Sequence, residues 1–286
     1  MKNITIKKNN TSYKKIPTNG MSFIEKKEIP LNRLSKNGSE SDVLNDIFNL
    51  IDHYSYEKIL GIGIGVPSVV DVEKGIVYDV QNIPAWKEVY LKDILKKRYN
   101  IPIYVNNDAN CFAIGEKYFG KAKNYKDIVG LIIGTGLGAG IITNGKLYTG
   151  KNCGAGEFGM IPFKRNNYEY YCSGQYFMNE FRTTGEELFR RAEKGDSEAL
   201  DIFSGFGANL GEAIKVIMYT IDPEIIVLGG SVSKSYNLFK DEMFRSINNF
   251  AYSKTINKLK IEVSVIDNVA ILGAAALYYD DNNINR

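Results

Sequence analysis

Residues 132–145 read Ile132-Ile133-Gly134-Thr135-Gly136-Leu137-Gly138-Ala139-Gly140-Ile141-Ile142-Thr143-Asn144-Gly145. Four of the seven residues from Gly134 to Gly140 are glycine. The apolar residues on either side predict strands over 127–133 and 140–144, joined by a glycine-rich turn. Glycines let backbone N–H groups converge on phosphate oxygens with no β-carbon in the way. The run taken alone also fits a tight hairpin, so its surroundings have to decide.

Upstream, an apolar run over 101–105 predicts a strand, and a helical pattern follows from about Asp108 to Phe119. Between them lies Asn106-Asn107-Asp108-Ala109-Asn110. A carboxylate at a strand-to-helix junction can act on a substrate while neighbouring amides bind a polyol. Asp108 taken alone reads equally as a helix cap. Further back, Ile59-Leu60-Gly61-Ile62-Gly63-Ile64-Gly65-Val66 predicts a buried strand ending at Pro67. Its glycines lie within the strand. A dinucleotide fingerprint needs them in a turn that opens a helix, so that reading is set aside. A helix is expected from Ser41, with Val43, Leu44, Ile47, Leu50 and Ile51 on one face and Ser41 or Ser39 capping it. A second helix is expected over 91–99. Residues 1–19 carry lysines and no acid. The alternation at Ile4 and Ile6 allows a short strand, and Phe23–Ile29 alternates after the turn dipeptide Asn19-Gly20.

Downstream, Gly154-Ala155-Gly156-Glu157-Phe158-Gly159 holds a glutamate in a glycine-rich loop. By itself this reads as a solvated acid. Leu200, Phe203, Phe206, Leu210, Ile214 and Ile217 recur at helical spacing up to Asp222-Pro223. A strand over 225–228 runs into Gly229-Gly230. A helix marked by Met243, Ile247 and Phe250, a strand over 261–266 and a closing helix over 270–279 complete the pattern. Strands and helices mixed in both halves imply an α/β fold of two lobes with a cleft between them. The division expected is 1–108 and 109–286, with the last helix packing back on the N-terminal lobe.

The 286 residues are 44% hydrophobic and 24% charged, an ordinary globular balance with ample material for a core. A net charge of +3 offers no footprint for nucleic acid or a membrane surface. No apolar run reaches the length of a membrane span. The lysine-rich N-terminus lacks the apolar segment of a secretory signal. Cys111, Cys153 and Cys172 are far apart and odd in number, which fits reduced thiols in a cytoplasmic protein.

The order of these patches carries more than any one of them. "GIGIGVPSVVD", "NIPAW", "VNNDAN", "IGTGLGAGIITNGKLYTG", "GAGEFGM", "DPEIIVLGGSVS" and "AILGAAAL" together resemble the ROK family (repressors, open reading frames, kinases) from about Asn19 to Tyr279. The resemblance implies an actin-like ATPase, ribonuclease H-like fold. In kinase members two lobes close on ATP–Mg²⁺ and a sugar. It implies Asp108 as the base that takes the proton from the sugar hydroxyl, usually at C6. Asn82, Asn107 and Glu157 match sugar-binding positions, and Glu180 aligns with another once one residue is deleted. Gly134, Thr135, Gly136 and Gly138 match a phosphate turn, and Gly229 and Gly230 match the turn near the adenosine. Family members are commonly cytoplasmic homodimers, and the partner implied is a small-molecule sugar.

Three departures accompany the resemblance. Kinases of the family begin with a strand and an Asp-x-Gly-Gly-Thr phosphate loop, where this chain has Met1–Thr18 with Lys7, Lys8, Asn9 and Asn10 in the strand. The family often carries a cysteine-rich zinc motif and a histidine after the "GE-x-G" glutamate. Here Met160 holds the histidine position, only Cys172 remains of the motif, and the one histidine is His53. No structural zinc is therefore expected. Ser68 stands where glycine is common. Repressor members carry an N-terminal helix-turn-helix domain, for which too few residues precede the kinase-like region. The expectation is an ATP-dependent kinase of a hexose or N-acetylhexosamine. The alternatives are a sugar-binding pseudokinase or the product of a truncated or frame-shifted gene.

Overall fold

The computed structural model describes residues 4–8, 39–53, 59–80 and 83–281. They fall into two compact units. The first draws its described residues from Met1–Lys123, Lys146–Ala155 and Ile266–Arg286, and the second consists of Asn124–Gly145 and Gly156–Val265. Asn19-Gly20, Phe23–Ile29 and Asn82 lie outside the described residues.

In the first unit the strand Ile59–Val66 lies between two others. Ile4–Lys8 pairs with it antiparallel and Ile103–Asn107 pairs with it parallel. The strand expected over 101–105 begins two residues later. Proline has no N–H for a ladder, and Pro102 takes part only through its carbonyl, which accepts from Ile62 N–H at 2.9 Å. The shift brings Asn106 and Asn107 into the strand, so the helix Asp108–Phe119 starts directly from its end.

The alternating glycines of the middle strand have a packing reason. A β-carbon on Gly63 would lie well inside 3.0 Å of the Ala274 carbonyl, on the closing helix Val269–Asp281. Gly273 of that helix meets the Cys111 carbonyl in the same way. Glycine inside a strand marks such close approach. Strand and helices pack backbone to backbone here, which fixes the helix that Asp108 opens.

The rest of this unit supplies its apolar core. The helix Glu40–His53 buries Val43, Ile47 and Ile51, one face at a spacing of four. Its start is a capping box: Ser39 Oγ accepts from Asp42 N–H at 3.3 Å and the Asp42 carboxylate accepts from Ser39 N–H at 2.7 Å. Leu91 and Leu95 of the helix Leu91–Tyr99 and the indole of Trp86 join the same core. Each fully buried aliphatic side chain of this kind contributes roughly 1.5–3 kcal/mol.

The second unit is built on a sheet with strand order Lys260–Val263, Ile225–Gly229, Ile128–Ile133, Leu137–Thr143. The first three run parallel and the last antiparallel. The strand expected over 261–266 is four residues long and begins at Lys260. Leu137–Gly140 pair with Ile133–Gly130, so the strand expected from Gly140 starts at Leu137. The turn shrinks to Gly134–Gly136, because glycine remains able to join a ladder when the register provides partners. The helix Ser197–Thr220 lies on the helix Tyr236–Ile247, with Phe177, Phe203, Phe206 and Phe239 fully buried between elements. Phe206 is the centre of that stack, 5.2 Å from Phe177 and 5.3 Å from Phe239 between ring centroids.

Candidate functional site

The junction at Asn107 and Asp108 is organised by side-chain amides. Asn107 is extended and its Oδ1 accepts from Ala109 N–H at 2.8 Å. The cap therefore falls on Asn107, and Asp108 is the first residue inside the helix. A carboxylate there is favoured by the positive end of the helix dipole. Asn107 Nδ2 donates to the Ser68 carbonyl at 3.2 Å, and Ser68 Oγ donates to the Tyr78 carbonyl. Ser68, unusual by its type, thus joins the small sheet of Val69–Asp71, Ile76–Tyr78 and Glu88–Val89 to the junction. Asp108 itself is half-buried.

In the second unit two glycine turns lie side by side. Ile128–Ile133 ends in Gly134-Thr135-Gly136, and the parallel strand Ile225–Gly229 ends in Gly230 with Gly229 opposite Ile132. Gly230 has φ +88°, and a β-carbon on it would strike the Ile133 carbonyl. Within the first turn, Gly134 N–H donates to the Gly136 carbonyl at 3.0 Å. The Gly134 and Thr135 carbonyls accept from Gly174 N–H at 2.7 Å and Ser173 Oγ at 3.1 Å, which ties the turn to the start of the helix Gly174–Phe181. A β-carbon on Gly134 would meet nothing within 4 Å. Thr135 is exposed. Gly138 lies beyond the turn, in the ladder opposite Ile132.

Glu169 belongs to this turn, and the sequence reading missed it. Its Oε2 accepts from Leu137 N–H at 3.0 Å and its Oε1 from Gln175 Nε2 at 3.0 Å. The carboxylate occupies the space a side chain on Gly136 would need. The contact spans 32 residues, and nothing local to Glu169 signals it.

The remaining expected residues are more dispersed. Glu157 is exposed and opens a 3-10 turn, Phe158–Met160. Gly156, with φ +93°, sets its loop against the Ala139 carbonyl. Glu180 is exposed on the helix Gly174–Phe181 and accepts from the Tyr170 hydroxyl, a bond that raises the Tyr170 pKa. Arg165, Asn166, Tyr170, Tyr171 and Glu180 line a cavity of about 180 Å³. Asn107 and Asp108 sit in the first unit, and both glycine turns, Glu157 and Glu180 in the second.

Residues 25–281 match the model of the ROK family. The chain belongs to the ROK family. Among its ROK relatives is the glucokinase of Thermotoga maritima, 27% identical over 282 residues, covering 88% of this chain and 89% of that protein. The xylose repressor of Bacillus subtilis is 29% identical over 238 residues, or 78% of this chain, and the match spans 62% of the repressor. A crystal structure of a ROK family glucokinase from Streptomyces griseus in complex with glucose and AMPPNP is 25% identical, with a TM-score of 0.70 over 84% of this chain and 88% of that one. The fold is therefore α/β of the actin-like ATPase, ribonuclease H-like class. Kinases and regulators both occur among the relatives. Among the described residues no three His, Cys, Asp or Glu side chains are grouped to hold a metal ion, and no helix is long and apolar enough to cross a membrane.

Proposed function

We propose that this ROK protein is an ATP-dependent sugar kinase that phosphorylates the 6-hydroxyl of a hexose or N-acetylhexosamine. The observation that carries the reading is the placement of the cap on Asn107. It leaves Asp108 inside the first helical turn, in a role other than capping. Asp108 takes the proton from the attacking hydroxyl, as phosphoryl transfer requires of an oriented carboxylate. Asn107, with one amide proton beyond its bond to Ser68, orients the sugar together with Asn82, Glu157 and Glu180.

The nucleotide falls to Gly134–Gly136, Gly138, Gly229 and Gly230. The fit is favourable at the first turn. Gly134 is open, and the N–H groups of Thr135 and Gly136 donate to no other described residue. Such donors stabilise phosphoryl charge. Bound ATP–Mg²⁺ supplies the transferable phosphoryl group.

Similarity to the xylose repressor favours a second reading, a sugar-binding protein without turnover. One experiment separates the two. The purified chain is incubated with ATP–Mg²⁺ and a panel of hexoses, N-acetylhexosamines and xylose, with ADP release and phosphorus NMR of the products as readouts. A sugar 6-phosphate is the expected product. Calorimetric sugar binding with no phosphorylated product from any sugar would overturn the kinase reading in favour of the second.

A further inference from the structure

Three buried polar side chains meet beside the Asn107–Asp108 junction, all in the first unit. Asn106 and Asn110 are each 2% exposed and Cys153 is 5% exposed. The Asn106 carboxamide oxygen is their hub. It accepts from Asn107 N–H at 2.8 Å, from Asn110 Nδ2 at 2.9 Å and from the Cys153 thiol at 3.7 Å. Asn110 Nδ2 also donates to Cys153 Sγ at 3.6 Å.

Two costs show that this cluster is held on purpose. Asn110 Oδ1 is buried and has no hydrogen-bond partner among the described residues. An empty buried acceptor is unfavourable, so the bonds made by the amide nitrogen decide the orientation. Cys153 has φ +56°, in the left-handed region that residues with a β-carbon avoid. Glycine would sit there unstrained, as it does nearby at Gly150, with φ +71°. Backbone strain of this kind persists where the surrounding structure over-determines it. What Cys153 adds over glycine is the thiol in the cluster.

We propose that Cys153 is a positioning residue for the Asn107–Asp108 pair, acting through the side chain of Asn106. The thiol holds the Asn106 amide in one rotamer. That amide fixes Asn107 N–H, and Asn107 caps the helix and ties it to Ser68. Asp108 lies between the bonds so formed. Release of the thiol lets Asn106 turn and moves the first helical residue, and displacements of about 1 Å at a reacting group are enough to lower a rate steeply. The effect on turnover rests on the kinase reading, whereas the positioning itself does not.

The test uses the full chain and two variants. Cys153→Gly removes the thiol and relieves the left-handed strain, which offsets the lost burial of a core side chain and the added freedom of glycine in the unfolded chain, so overall stability changes little. Amide hydrogen exchange at Asn107 and Ala109, measured without ligand, should quicken by about tenfold in this variant, because their opening becomes local. Cys153→Ser keeps a donor and should restore the protection. In phosphorylation assays kcat should fall by about tenfold in Cys153→Gly with KM for ATP unchanged, the signature of a misplaced group. Unchanged exchange at Asn107 and Ala109 overturns the proposal. So does faster exchange spread over the whole first unit with lowered stability, which marks a merely structural residue, and so does faster local exchange with unchanged kcat. If the unmodified chain phosphorylates no sugar, the kinase reading fails, and the exchange measurement still decides the positioning.

Discussion

A β-carbon on Gly230 would come within 2.3 Å of the carbonyl oxygen of Ile133, the residue that leads into Gly134. Two neighbouring parallel strands end there, and their turns approach too closely at this point to admit a side chain. Gly230→Ala adds a β-carbon that must push Ile133 away, in a backbone conformation at φ +88° that alanine resists. Gly145 has φ +74° but open space around it. Gly145→Ala should therefore cost only the backbone term, about 1–2 kcal/mol. Gly230→Ala should cost about 1–3 kcal/mol more, as strain and displacement add. It should also raise KM for ATP more than KM for the sugar. Equal denaturation midpoints for the two variants would remove the packing argument.

Asp108→Asn keeps the shape of the side chain and its place in the first helical turn, but it cannot take a proton. Turnover should fall by about 10²–10⁴-fold with little change in sugar affinity, the usual range for loss of a general base. Asn107→Ala acts on the structure instead. It removes the cap to Ala109 and the tie to Ser68, and stability should fall by about 0.5–2 kcal/mol. Near-normal kcat in Asp108→Asn, measured with the phosphorylated product in hand, would take Asp108 out of the base role.

Much of this arrangement was legible in the sequence where the signal is local. The helix over 91–99 and the strand over 59–66 have their expected bounds, because apolar spacing and flanking Pro67 and Asn100 define them. The helix Asp108–Phe119 also begins and ends as its pattern implies. The motif order identified the ROK family. Long-range partners decided the rest. Leu137–Gly140 joined a ladder because Gly130–Ile133 lay opposite, which composition alone could not announce. The cap settled on Asn107 because Asn106 and Ser68 hold it there. Glu169 was invisible for the same reason, since its partners are a turn 32 residues upstream and Gln175.

Glu169 offers a test of what shapes the Gly134–Gly136 turn. Glu169→Ala leaves the N–H of buried Leu137 without its acceptor, and an unsatisfied buried donor costs about 1–3 kcal/mol. Glu169→Gln keeps an oxygen for Leu137 and should cost less than half of that. Urea denaturation compares them. If both variants are equally destabilised, the negative charge, and not the bond to Leu137, holds the turn.

The thiols give the protein a defined response to alkaline pH. Burial is the main cause that pushes the Cys111 thiol up, with the Asp108 charge and Cys153 adding to it. Burial raises Cys172 as well, against a smaller opposing effect of Lys164. Below the unfolded value of about 8.5 both states keep these protons, and stability is unaffected. Above it the unfolded chain releases protons that the folded chain retains, so stability falls as pH rises. Tyr99 and Tyr118, each raised to about 12 chiefly by burial, extend the fall. For them it begins near the ordinary phenol value of about 10. Urea midpoints should therefore drop steadily from pH 8 to 10.5, and the first part of the drop should shrink in Cys111→Ala and Cys172→Ala, each compared with its own midpoint at pH 7. A disulfide reagent at pH 8 should label Cys111 and Cys172 slowly in the native chain and all three cysteines at once in urea. Rapid native labelling of Cys111 or Cys172, or a midpoint that holds level to pH 10.5, would show that these groups titrate as they do in the unfolded chain.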